Sequence, residues 1–181
     1  MKLLIVEAVY LLQPPLVWWL FWRFAKRNVL GDMLAGIMIG AFNEFATEPL
    51  WNYHLKITIY KDTPLAAVLG WGVMFALVVF VSEKIYERLF RRPVNLRDPR
   101  VLLCDLLGAV IVALPLETFA MKLGAWDYNY EVLNWNWGTI PLIGMPWEAL
   151  FGYCLLMLVG PSFVRLWSPV FEGRDVETVA P

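Results

Sequence analysis

Carboxylate side chains recur at matching positions in two apolar segments of this chain. Residues 31–46 align without a gap with residues 104–119, and Glu44 falls on Glu117. Ionisable side chains inside membrane-length segments are energetically costly and often functional. A carboxyl group in apolar surroundings tends to be neutral, and a neutral acid can donate a proton. The repeated acids therefore predict one site for proton-transfer chemistry between two related halves.

Aromatic residues and prolines extend the similarity into the loops that follow. The corresponding groups are Trp51-Asn52-Tyr53 with Trp126-Asp127-Tyr128, and Pro64, Trp71 and Phe75 with Pro141, Trp147 and Phe151. We therefore predict a first repeat over about 29–90 and a second over about 101–167.

The composition indicates an integral membrane protein. Hydrophobic residues make up 60% of the chain and charged residues 17%, whereas soluble domains are roughly 45–50% apolar and about 25% charged. A net charge of -1 argues against nucleic-acid binding. A single histidine, His54, and two cysteines in apolar segments make a metal site improbable, and no motif for a cofactor is present, so none is expected.

Five segments are long and apolar enough to be membrane-spanning helices, which predicts an all-α protein. They cover approximately residues 3–22, 29–50, 64–81, 101–123 and 145–166. Pro14-Pro15 is expected to kink or break the first segment. Residues 1–171 form one predicted transmembrane domain, and 172–181 form a polar tail that we expect to be disordered.

The basic residues of the loops predict the orientation. Eleven Lys and Arg residues lie on one side of the predicted helices and four on the other. Because the basic side faces the cytoplasm, the N-terminus is expected outside and the C-terminus inside, most simply in a bacterial inner membrane. Each repeat has an even number of helices, so the two copies are parallel and both Trp-x-Tyr segments lie at the outer face.

Some of the acids have structural explanations. Asp32 and Asp105 follow basic loops and are expected to begin helices, where a carboxylate interacts favourably with the helix dipole. Glu83 and Glu87 lie among basic residues and are expected to be solvated.

Three glutamates remain as catalytic candidates: Glu148, Glu117 and Glu44. The residues expected to bind substrate near them are Glu48, Trp51, Tyr53, Trp126, Asp127, Tyr128 and Trp147. These aromatic residues suit either an interfacial belt or a lid over a pocket, where their rings can stabilise a cation.

Two short motifs resemble those of a known family. Pro115-Leu116-Glu117 and Gly144-Met145-Pro146-Trp147-Glu148, with Trp126-Asp127-Tyr128 between them, are similar to motifs of small membrane carotenoid-modifying proteins. These proteins are the lycopene cyclase domains and the related carotenoid hydratases. The family's second acid is replaced by Thr118 after Glu117 and by Ala149 after Glu148.

The resemblance implies a cofactor-independent enzyme that protonates a carbon–carbon double bond of a long isoprenoid. Glu148 or Glu117 would donate the proton, Glu44 would be its counterpart, and cyclisation or hydration would follow. Two alternatives remain open: a non-catalytic subunit that binds pigment or lipid in a membrane complex, and a small proton-coupled transporter. The expected partners are membrane lipid, an isoprenoid-like ligand and other protein subunits in a homo- or hetero-oligomer.

Overall fold

Five α-helices account for most of the chain, in a computed structural model that describes residues 2–132, 134 and 136–173. The helices are α1 (Lys2–Leu20), α2 (Leu30–Thr47), α3 (Leu65–Phe90), α4 (Arg100–Leu123) and α5 (Trp147–Phe171). Four short strands lie in the loops: β1 (Trp51–Tyr53), β2 (Thr58–Tyr60), β3 (Thr63–Pro64) and β4 (Trp126–Tyr128). The predicted helical class is confirmed, with two small sheets added.

Among the described residues, four helices are long and apolar enough to cross a membrane: α1 with its π-helical extension Phe21–Ala25, α3, α4 and α5. The prediction of five such helices was therefore one too many. The exception is α2, which has 18 residues and includes Asp32, Asn43 and Glu44. These polar side chains lower its apolar character, and a 3₁₀ turn, Glu48–Leu50, follows it directly.

Two predicted boundaries differ from the structure. Helix α1 continues through Pro14-Pro15 without a break, and a π-helical turn follows it. Helix α3 runs to Phe90 instead of ending near residue 81, because its charged last turns remain helical beyond the apolar core. Of the predicted polar tail, residues 174–181 lie outside the described part of the chain.

Helices α2 to α5 form a bundle in which α2 and α4 each pack between α3 and α5. Helix α1 packs on the outside, against α3. Close approach of α2 and α3 requires small residues, since a Cβ on Gly36 would lie 3.0 Å from the Cα of Gly72. Phe75, Val78 and Val164 are fully buried at the centre of the bundle core.

A network of ion pairs closes one end of the bundle. Arg165 of α5 makes two hydrogen bonds to Asp105 of α4, of 2.7 and 3.0 Å. Glu83 of α3 accepts hydrogen bonds from Arg165 and from Arg27, and Arg27 also pairs with Asp32 at 2.9 Å. The network therefore connects all four bundle helices to the loop that follows α1.

This network corrects two predictions about the acids. Asp105 does not begin a helix: it lies inside α4 and is fully buried. Glu83 is not simply solvated, because it bridges two arginines. Asp32 does lie in the first turn of α2. Glu87 is partly exposed and pairs with Lys84.

Replacing Arg165 with methionine is expected to destabilise the fold by about 3–5 kcal/mol, because Asp105 would keep a buried charge without its partner. Unfolding in detergent, followed by circular dichroism, measures the change. The double variant Arg165→Met/Asp105→Asn removes that charge and should recover a large part of the loss. A single variant no less stable than the double variant would contradict this account.

Candidate functional site

The two Trp-x-Tyr segments pair with each other. Strands β1 and β4 are antiparallel, with Trp51 opposite Tyr128, Asn52 opposite Asp127, and Tyr53 opposite Trp126. Each strand follows one of the acid-bearing helices, so α2 and α4 end at the same end of the bundle. That end lies opposite the ion-pair network of Arg27, Asp105 and Arg165.

The helices that complete the site begin alike. Pro64 precedes α3 with φ -81° and ψ 144°, and Pro146 precedes α5 with φ -60° and ψ 144°. Trp71 and Tyr153 follow these prolines at the same spacing along the chain. The residue of α5 that corresponds to Trp71 is therefore Tyr153, and the sequence alignment of Trp71 with Trp147 was wrong in register.

Glu44 of α2 is buried, and aromatic side chains satisfy both of its carboxylate oxygens. The indole Nε1 of Trp71 donates to Oε1 at 2.6 Å, and the hydroxyl of Tyr53 donates to Oε2. One donor comes from α3 and the other from β1. The carboxylate therefore joins three elements of the first half of the chain.

Glu117 of α4 is buried in a similar arrangement. The indole Nε1 of Trp126 and the hydroxyl of Tyr128 donate to Oε1 at 3.0 and 2.9 Å. The hydroxyl of Tyr153 donates to Oε2 at 2.9 Å. Strand β4 and helix α5 thus supply donors to this acid, as β1 and α3 do to Glu44.

These partners can accommodate the acids in both protonation states. An indole N–H only donates, whereas a phenol hydroxyl both donates and accepts. In each glutamate, one oxygen faces an indole and the other faces a phenol: Tyr53 for Glu44 and Tyr153 for Glu117. A proton on Oε2 is accommodated when that hydroxyl reverses its hydrogen bond, so either acid can give up or take up a proton without moving its side chain.

Both acids open into one cavity of about 60 Å³ between α3 and α4. Aromatic rings make up much of its wall: Tyr10, Trp51, Tyr53, Trp71, Trp126 and Tyr153. The rings of Trp71 and Tyr153 stack with their centroids 5.9 Å apart. The cavity therefore places two carboxyl groups among rings whose faces can stabilise a cation.

Glu148 lines a second cavity, of about 120 Å³, between α2 and α5. Its Oε1 accepts hydrogen bonds from the backbone N–H groups of Asn136 and Trp137, at 2.8 and 2.9 Å. Trp51, Trp71 and Tyr153 border both cavities and separate them. The third predicted glutamate is thus next to the first two but in a compartment of its own, which Tyr128 also lines.

The other predicted residues lie away from the two cavities. Glu48 pairs with Lys61 at 2.6 Å. The side chain of Trp147 is turned outward and is 39% exposed. Asp127 lies on the surface of the strand pair, where it accepts hydrogen bonds from Asn52 at 2.7 Å and contacts His54 at 2.8 Å. Within the described ranges, no group of three or more His, Cys, Asp or Glu side chains is placed to hold a metal ion.

Electrostatics differ between the inside and the outside of the strand pair. Burial and the neighbouring carboxylates raise the pKa of Tyr53 and of Tyr128, so both hydroxyls keep their protons at neutral pH. Partial burial opposes ionisation of Asp127, but hydrogen bonds from Asn52 and His54 outweigh it and lower the pKa of that carboxyl. The side of the strand pair that faces the buried glutamates therefore has neutral hydroxyl donors, and the surface side has the ionised Asp127.

Three aromatic residues of the cavities were not among the sequence predictions: Tyr10, Trp71 and Tyr153. Tyr10 comes from α1, which has no counterpart in the repeat, so no pairing of the two copies singles it out. The equal spacing from Pro64 and Pro146 is the signal that points to Trp71 and Tyr153.

Comparison with protein-family models, with curated proteins and with solved structures found no match for this chain.

Cysteines at positions 52 and 127 are expected to form a disulfide, because the two residues face each other across the strand pair. The variant Asn52→Cys/Asp127→Cys, with Cys104 and Cys154 replaced by alanine, is oxidised in the membrane, digested and examined by mass spectrometry. In the matched control, Glu131→Cys replaces Asp127→Cys and should form little cross-link. Equal cross-linking in the two variants would contradict the register.

Proposed function

We propose that the chain is a membrane-embedded enzyme that acts on a long isoprenoid by acid-initiated double-bond chemistry. One observation carries the proposal: Glu44 and Glu117, from the two halves of the chain, open into one cavity walled by aromatic rings. A polyene has no charged group to bind, so an apolar, ring-lined site with an acid is what its chemistry requires. The resemblance to carotenoid-modifying proteins supports a carotenoid as the substrate.

In the proposed reaction, Glu117 transfers its proton from Oε2 to a terminal double bond. The π-electron pair forms the new C–H bond, and a tertiary carbocation and a Glu117 carboxylate remain. In cyclisation, a second double bond attacks the cation and a neighbouring C–H proton is then lost to a carboxylate. In hydration, water adds to the cation and gives up its proton instead. Either way one proton is delivered and one is lost, so no oxidant or reductant is needed. After hydration the proton of the water restores Glu117, and after cyclisation the proton taken up by a second carboxylate must return to Glu117 before the next turnover.

Glu117 is the better donor of the two acids. It has three hydrogen-bond donors, against two for Glu44, and these stabilise the carboxylate that proton transfer leaves behind. Glu44 would take up the proton in the final step of cyclisation. Tyr153 would be a positioning residue, since it holds Oε2 of Glu117 toward the cavity.

The ring faces supply the stabilisation that the cation needs. Trp71 and Trp126 each use their N–H group on a glutamate, which fixes the orientation of the indole. A cation over such a face gains about 2 kcal/mol or more when water is excluded. Because the cavity is small, it would receive only the end of the substrate, with the rest of the chain lying between the helices.

The proposed placement in the membrane puts this site in the outer half of the bilayer. The opposite end of the bundle carries Arg27, Arg165 and the basic 84–100 segment, which suits a cytoplasmic surface with anionic lipids. The N-terminus would then be outside, in a bacterial inner membrane, with the two repeats parallel. The apolar outer faces of α4 and α5 would contact lipid or other subunits of an oligomer.

Replacing Glu117 with glutamine is expected to lower turnover by about 10²–10⁴-fold, the range typical for loss of a general acid. Glu44→Gln should lower it as well. The protein is produced in a host that accumulates acyclic carotenoids, and the pigments are separated by chromatography. The control Glu87→Gln alters a partly exposed acid outside the site and should leave turnover unchanged.

The unsubstituted chain must itself be active for the proposed function to hold. It must yield cyclic or hydroxylated pigments that the host without it lacks. If the pigment profile is the same in both, or if Glu117→Gln matches the unsubstituted chain in turnover, Glu117 is not a catalytic acid acting on these substrates.

A further inference from the structure

The second cavity differs from the first in what covers it. In the first half, Gly70 faces α1, and a Cβ built on Gly70 would lie 4.0 Å from Cδ1 of Tyr10. Gly152 follows Pro146 as Gly70 follows Pro64, but a Cβ built on Gly152 would meet nothing within 4 Å. Gly152 itself lines the cavity. The side of the bundle between α2 and α5 is therefore open at Gly152, whereas α1 covers the corresponding side.

One of the residues that line this open compartment carries a polar atom without a partner. Among the described side chains, Oε2 of Glu148 and Oγ1 of Thr63 are the buried oxygen or nitrogen atoms that lack a hydrogen bond. Leaving such an atom unsatisfied is energetically unfavourable, and more so for a charged group. Since Oε1 of Glu148 already accepts two backbone N–H groups, Oε2 is the oxygen of this carboxylate that is left to accept a further donor.

The remaining surface of the compartment suits an apolar chain. Leu50, Trp51, Ala149 and Leu156 line most of it, with Asn43 and Thr47 at its α2 side. Its volume of about 120 Å³ approaches the ~150 Å³ of an apolar cavity that accepts benzene. A hydroxyl-bearing end of roughly one isoprene unit matches this combination of size, mostly apolar wall and an unpartnered carboxylate oxygen on a lining residue. A fully hydrocarbon end would leave Oε2 without a partner.

We propose that the α2–α5 cavity is a second binding compartment, entered from the lipid at Gly152, that holds the hydroxyl-bearing end of an isoprenoid through Oε2 of Glu148. The inference rests on the proposed function for its ligand class. The second compartment would bind a hydroxylated isoprenoid, as substrate or as product, next to the proposed site of proton transfer. The rings of Trp51, Trp71 and Tyr153 separate the two compartments. The end of the isoprenoid would pass between these rings to move from one compartment to the other.

Binding of a simple isoprenoid alcohol tests this inference without any turnover. The full chain in lipid nanodiscs is titrated with farnesol or with farnesyl methyl ether, and the change in intrinsic tryptophan fluorescence gives the apparent Kd. The ether keeps the chain and the oxygen but lacks the donated hydrogen. A hydrogen bond to a carboxylate should make farnesol bind about tenfold more tightly than the ether.

The variant Glu148→Gln is expected to reduce this preference to below about twofold. The amide can still accept the backbone N–H groups with its oxygen, while its nitrogen donates to the oxygen of either probe. Equal binding of the two probes by the unsubstituted chain, or a preference that persists in Glu148→Gln, would overturn the role of Glu148.

The variant Gly152→Phe should weaken binding of both probes by about tenfold or more, because the ring occupies the opening. Gly152→Leu is a smaller obstruction that keeps the test valid if the larger one prevents folding. In the matched control, Leu155→Phe adds a ring to a residue of α5 that is 66% exposed and lies outside the cavity lining, so both affinities should be unchanged. Unweakened binding in the folded Gly152 variants would overturn entry at this position.

Failure here is distinguishable from failure of the proposed function. If the protein converts polyenes in a Glu117-dependent manner but shows no preference for farnesol, the proposed reaction stands and the second binding compartment is rejected. If the protein prefers farnesol through Glu148 but converts no polyene, the second binding compartment stands and the proposed reaction is rejected.

Discussion

Two buried carboxyl groups in an apolar helix bundle impose the constraint on which the glutamate-bearing half of this structure depends. An unsatisfied carboxyl group at such a depth would be too costly, so Glu44 and Glu117 must each find hydrogen-bond donors. Aromatic residues supply them, because a Tyr or Trp ring fills apolar space and also presents one polar hydrogen. The loops after α2 and α4 bring Tyr53, Trp126 and Tyr128 back over the helix ends, and the pairing of β1 with β4 holds these loops together.

The two ends of the bundle satisfy their buried charges differently. At the end opposite the glutamates, arginines pair with Asp32, Glu83 and Asp105, so positive and negative charges cancel. At the glutamate end, no arginine or lysine bonds to Glu44 or Glu117 among the described residues, and neutral donors take that place. The acids at the first end are bonded to opposite charges, whereas the two glutamates are bonded to neutral donors whose hydroxyls fit both protonation states. This difference is the physical basis for assigning chemistry to one end and stability to the other.

The partition between the two cavities links stability to the proposed function. Trp71 and Tyr153 hydrogen-bond to different glutamates and stack on each other, so the two acids are connected through the ring pair. A ligand that separates the rings would alter both acids together. Helix α1 covers only one side of this arrangement, which leaves the compartment of Glu148 and Gly152 as the open side.

From the sequence alone, composition predicted a helical membrane protein, and the spacing of acids and Trp-x-Tyr segments predicted that Glu44 and Glu117 belong together. These features follow from local patterns, because apolar runs and repeated motifs are properties of the chain. The tertiary structure decided the rest. Helix rotation and loop register, which depend on packing, placed Asp105 opposite Arg165, made Tyr153 rather than Trp147 the partner of Trp71, and separated Glu148 from the other two glutamates.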